Sequence, residues 1–75
     1  MNKPTYGVVL FHSTQAAIKA EKILKEAEIK IKLIPVPRHL SSDCGICLRF
    51  EVDDVLAVKS TLASKNVQTA RIHQL

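Results

Sequence analysis

Ile46-Cys47-Leu48-Arg49-Phe50-Glu51-Val52 alternates without a break. Ile46, Leu48, Phe50 and Val52 point one way, and Cys47, Arg49 and Glu51 point the other, which is the period of a half-buried strand. Downstream, Asp53 is a candidate cap for a helix over about Asp54 to Ser64, with Val55, Val58 and Leu62 on its buried side. Asn66 suits the left-handed residue that closes such a helix, and Val67 to His73 predicts a last strand. Upstream lies a polar loop, Pro37 to Gly45. Before it, Lys30 to Val36 reads as another half-buried strand, with Ile29, Ile31 and Leu33 set against Lys30 and Lys32. Pro35 and Pro37 place that strand at a sheet edge, because proline cannot donate to a ladder.

Nearer the start, Tyr6 to Phe11 is a continuous apolar run rich in β-formers and suits a central strand. Ser13 or Thr14 then offers an N-cap for a helix from Gln15 to about Glu28. Its apolar residues Ala16, Ala17, Ala20, Ile23, Leu24 and Ala27 recur at helical spacing, and the alanines let it lie close to a sheet. The order β-α-β-β-α-β predicts a ferredoxin-like α+β fold over residues 1–75 as a single domain: a four-stranded antiparallel sheet with two helices on one face. In that topology the loop before Ile46 lies at the same end of the sheet as His12, Ser13 and Thr14.

The chain has 75 residues, 47% of them hydrophobic and 24% charged, the balance of a folded soluble domain. Only Tyr6, Phe11 and Phe50 are aromatic, so the core must be aliphatic. A chain this short buries only about 60% of its unfolded surface, so a homodimer or some other cover for the open sheet face is expected. No apolar run approaches the ~20 residues of a membrane span. The run from Gly7 to Phe11 is too short for a signal segment, which predicts a cytoplasmic location, where thiols stay reduced. The net charge is +4. Around the first helix, Lys19, Lys22, Lys25, Lys30 and Lys32 are interleaved with Glu21, Glu26 and Glu28, and Glu21 to Lys25 is a favourable i,i+4 pair, so this is first of all a solvated face.

The loop Pro35-Val-Pro-Arg-His-Leu-Ser-Ser-Asp-Cys-Gly-Ile-Cys concentrates the chemistry. A free thiol ionises near pH 8.5, and a cation or a helix N-terminus lowers that value. Arg38 lies in the same loop as Cys44, and the first helix's N-terminus is expected nearby; Asp43 works in the opposite direction. Gly45 permits unusual backbone angles and close approach of a partner. The plain alternative is a hairpin loop whose cysteine is a small hydrophobe.

Cys44 and Cys47 form Cys-x-x-Cys, and three readings stay open for the pair. Cys47 is a resolving thiol of a small thiol–disulfide redox protein, or a tolerated small residue on the open sheet face. Alternatively, Cys44 and Cys47 with His39 or His12 hold a soft metal such as zinc or copper. Nucleic acid is disfavoured: RNA-binding domains of this strand order need stacking aromatics on the open face, where only Tyr6 is available. Paired carboxylates, a Ser-His-Asp arrangement and a phosphate-cradling glycine loop are not visible, and no resident cofactor is expected. This suits an accessory protein better than a stand-alone enzyme.

Tyr6-Gly-Val-Val-Leu-Phe11 with Ser13-Thr14, then Pro35-Val-Pro-Arg38, Leu40-Ser-Ser-Asp-Cys-Gly45 and Leu48-Arg-Phe50, resemble the selenium/sulfur carrier protein-like family over nearly the whole chain. The resemblance implies a thiol carrier for sulfur or selenium with Cys44 at the family's cysteine, and Arg38, Ser41, Ser42 and Gly45 match its flanking motif. It implies as partners a donor protein of desulfurase or lyase type and an acceptor protein. The family pattern has one cysteine here, with a small or apolar residue more usual at the position of Cys47, so this chain departs from it there.

Overall fold

The computed structural model describes residues 5–40 and 45–75. Strands β1 (Tyr6–Leu10), β2 (Ile31–Pro35), β3 (Ile46–Glu51) and β4 (Arg71–Gln74) are joined with helices α1 (Thr14–Glu26) and α2 (Val55–Ser64) in the order β1-α1-β2-β3-α2-β4. The sheet order is β2-β3-β1-β4, and each neighbouring pair is antiparallel. This is the α+β arrangement the periodicity predicts. The continuous apolar run and the alternating run hold the two central positions, and proline-bearing β2 lies at an edge.

The register sorts the side chains onto two faces. Gly7 pairs with Phe50, Val9 with Leu48 and Leu33 with Leu48, all on the helix side. There Val9, Phe11, Ala17, Ala20, Leu24, Leu48, Phe50, Val58 and Leu62 form the main core. Ala17 and Ala20 are fully buried, because methyl-sized side chains let α1 approach the strands.

Local chemistry sets the helix ends. The Ser13 hydroxyl accepts from Ala16 N at 3.1 Å and caps α1. The sequence predicts helix to about Glu28, but α1 ends at Glu26, because Glu28 adopts φ 62°. Its N–H then reaches Lys25 O at 2.9 Å, and Ile29 N reaches Leu24 O at 3.0 Å, which drops Ile29 against the core. Helix α2 closes the same way. Asn66 takes φ 58°, and Val67 N donates to Leu62 O at 2.9 Å. That turn corrects the last strand, which starts at Arg71 and not Val67, since Val67 is used to close the helix.

A second correction concerns the start of α2. A 3₁₀ turn at Val52–Asp54 precedes it, so Asp54, not Asp53, holds the cap position, without a side-chain cap hydrogen bond. Val52 N donates to Thr5 O at 2.8 Å, which ties the chain to the sheet before it can turn. The Glu21–Lys25 pair forms at 3.6 Å on exposed α1 surface and contributes little. Among the described residues no helix is long and apolar enough to cross a membrane.

Gly7 meets the tightest steric demand on the helix side. A Cβ there would lie 2.7 Å from Phe50 Cζ and 3.0 Å from His73 O. Phe50 is itself only 2% exposed, so its ring has little room to yield. Gly7→Ala is predicted to lower stability by about 1–3 kcal/mol, read from the midpoint of urea unfolding. An unchanged midpoint would mean that this part of the core is loosely packed.

Candidate functional site

Ser41, Ser42, Asp43 and Cys44 lie outside the described residues, so the site is built from its flanks. After β2, Val36 N donates to Gly45 O at 3.1 Å, which brings the two ends of the connection together. Pro37 to Leu40 form a turn closed by Leu40 N donating to Pro37 O at 3.0 Å. Proline stiffens its first position, Arg38 and His39 occupy the exposed tip, and Leu40 comes back against the sheet.

Leu10 pairs with Cys47 on one side and Arg71 on the other, and Ala70 N donates to Leu10 O at 2.7 Å. Helix α1 starts a few residues beyond Leu10, after Phe11, His12 and its cap Ser13. The connection carrying Arg38 and Gly45 therefore shares an end of the sheet with the first helix's N-terminus, as the strand order predicts. No acidic residue occupies the first turn of α1, so the helix itself supplies no carboxylate to offset the positive end of its dipole.

The sheet face away from the helices is not open at this end. Val8, Leu10 and Cys47 form a second core, covered by Ile34, Val36, Leu40 and Ala70. Cys47 is 0% exposed, and its thiol donates to Pro35 O at 4.0 Å. The alternation assigns Cys47 to the correct face, but the expectation of an exposed position is corrected: Val36 and Leu40 fold over it from the loop. A reagent from solvent would first have to shed that cover to reach Cys47. Among the described residues no three His, Cys, Asp or Glu side chains are grouped so as to hold a metal ion.

Gly45 is likewise different from the sequence expectation. Its φ is not positive, and among the described residues an added Cβ would meet nothing within 4 Å. What distinguishes the position is its exposure. Arg38, His39 and His12 are exposed, and Arg38 shares the site end with Gly45. Sequence reasoning missed Val36, Leu40 and Ala70 as the cover, although apolar residues in an otherwise polar loop were the available signal. It also missed the stacking of the Arg49 guanidinium over the Tyr6 ring, 4.2 Å from its centroid, which depends on register.

A ferredoxin-like domain with a proline-arginine turn leading into a loop cysteine is the class that fold and segment define. A family model described as "Putative Se/S carrier protein-like" matches residues 6–74, and the chain belongs to that family. It is similar to the uncharacterized protein MJ0011 of Methanocaldococcus jannaschii, 29% identical over 69 residues that make up 92% of this chain and 34% of that protein. It is also similar to the uncharacterized protein YtiA of Escherichia coli, 38% identical over 39 residues, 52% of this chain and 46% of that protein. The chain thus spans about a third of the first relative's length, and its match spans about half of the second's. No solved structure matches it.

The packing of Cys47 predicts a specific penalty. Cys47 is 0% exposed within the second core, so a larger side chain there has no room. Cys47→Phe is therefore predicted to cost about 1–3 kcal/mol through overpacking, read by chemical denaturation. A phenylalanine variant as stable as the native chain would mean that the second core is loosely packed.

Proposed function

We propose that the chain is a thiol-based carrier that accepts sulfur or selenium at Cys44 and hands it to an acceptor thiol. The observation that carries this reading is the burial of Cys47. With one of the two cysteines packed beneath the loop, thiol chemistry falls to Cys44, which sits within the motif that matches the family. The family description supports the cargo class.

The chemistry asked of the site is modest. The Cys44 thiolate attacks the outer sulfur of a donor persulfide. A new sulfur–sulfur bond forms at Cys44 while the donor's sulfur–sulfur bond breaks, and the donor leaves as a thiolate. The transferred sulfur keeps its oxidation state, so no oxidant is needed, and delivery is the same exchange onto the acceptor. A selenium atom follows the same course. Arg38 and the positive end of the α1 dipole favour anions at this end of the sheet, while Asp43 opposes them. Ser41 and Ser42 carry hydroxyls of the kind that can donate to a persulfide anion, and Gly45, exposed and without a side chain, suits the approach of a donor protein's backbone. The donor would be a desulfurase or lyase that holds the atom on its own cysteine. A reducing cytoplasm would keep Cys44 as a thiol between transfers.

Intact-mass measurement after incubation with a cysteine desulfurase and cysteine tests the proposal. One added sulfur is expected on the native chain and on Cys47→Ala, released by dithiothreitol, and none on Cys44→Ser. Equal loading of Cys44→Ser would overturn it.

A further inference from the structure

Beside the partly buried apolar cover of the second core, its face carries charge. Val8, Leu10 and Cys47 are sealed, and around them the register brings cations together. Lys32 pairs directly with Arg49, and beyond Val8 the neighbouring strand adds Arg71, two pairs along β4 from His73. Lys30 joins Lys32, Arg49 and Tyr6 around a recess of about 150 Å³. Glu51 is the one carboxylate of these strands on this face among the described residues.

Two features argue against a merely solvated face. Like charges directly opposite one another on neighbouring strands weaken a sheet. Here Lys32 and Arg49 are such a pair, whereas the exposed charges of α1 are mixed in sign and include the Glu21–Lys25 ion pair. Further, Arg49 is half-buried and held over the Tyr6 ring at 4.2 Å, so its guanidinium is fixed in advance of any ligand. Arg49, Lys30 and Lys32 outnumber Glu51, which lines the same recess, and the excess positive charge around a fixed guanidinium suits a further carboxylate.

We propose that this face binds an extended acidic segment of a partner protein, laid across the strands from β2 toward β4 with a carboxylate in the Lys30–Lys32–Arg49 recess. From β2 to β4 the face spans three strand spacings, about 14 Å, which accommodates several residues of an extended chain. A second copy is the wrong occupant, because two such faces packed together would oppose Lys32, Arg49 and Arg71 with their own kind. Single-stranded nucleic acid is disfavoured because Tyr6, the aromatic ring on this face, already carries Arg49, while Phe11 and Phe50 lie in the main core. The proposal stands whether or not Cys44 carries sulfur.

Fluorescence anisotropy tests it with a fluorescein-labelled glutamate-rich peptide and a labelled oligouridylate of equal charge. The peptide is expected to bind saturably and more tightly than the oligouridylate. The double variant Lys32→Glu, Arg71→Glu alters two exposed residues and should weaken peptide binding by at least about tenfold. Lys19→Glu, Lys22→Glu makes the same change in charge on the outer side of α1 and should leave binding within about twofold. Lys32→Glu alone, which replaces a like-charge pair with an opposite one, should raise the melting temperature while weakening binding, so loss of fold cannot explain the loss of affinity. Absence of saturable peptide binding, tighter binding of the oligouridylate, or equal weakening by the α1 variant would overturn the proposal.

Discussion

Hydrocarbon on the sheet face opposite the helices must be covered by something. Val8, Leu10 and Cys47 place it there, and both helices are committed to the other side. The chain meets the requirement from its own connections: Val36 and Leu40 from the loop between β2 and β3, and Ala70 from the stretch before β4. Burying an aliphatic side chain fully is worth about 1.5–3 kcal/mol, less when it is partly exposed. Against the 5–15 kcal/mol of a typical small domain, even a partial contribution from two such residues is substantial. The loop that carries the candidate site is therefore also a structural element, held at Leu40 by apolar contact and at Val36 and Gly45 by a backbone hydrogen bond.

Three consequences follow from that cover. It removes Cys47 from solvent. It fixes the backbone on both sides of residues 41–44 at the end of the sheet where α1 begins. Finally, it reduces the exposed apolar surface of that face, where Lys32, Arg49 and Arg71 also stand.

Much of this was readable in the sequence, for reasons that can be named. Alternation over Ile46–Glu51 and the unbroken apolar run of β1 settle the central strands, because side-chain period and burial are properties of the strand itself. Pro35 marks an edge because a missing donor is a local fact. Asn66 is a recognisable left-handed residue, whereas Glu28 in the same role carries no such preference and shortened α1 unannounced. Alternation gives the direction of Cys47 but not what lies above it, and residues distant along the chain supply that cover. Val67 and Ala70 continue an apolar pattern that suggested a longer β4, but Val67 closes α2 and Ala70 covers the second core. At the site, the placement of Arg38 and Gly45 at the α1 end follows from topology alone, while the conformational demand expected of Gly45 is absent.

The division of labour between the two cysteines is tested most directly by pulse alkylation of the native protein, with each cysteine-containing peptide quantified by mass spectrometry after digestion. Cys44 should be modified first, and Cys47 slower by more than about a hundredfold, since its labelling must await an opening that costs about 3 kcal/mol. Comparable rates at the two positions, or faster labelling at Cys47, would contradict the account.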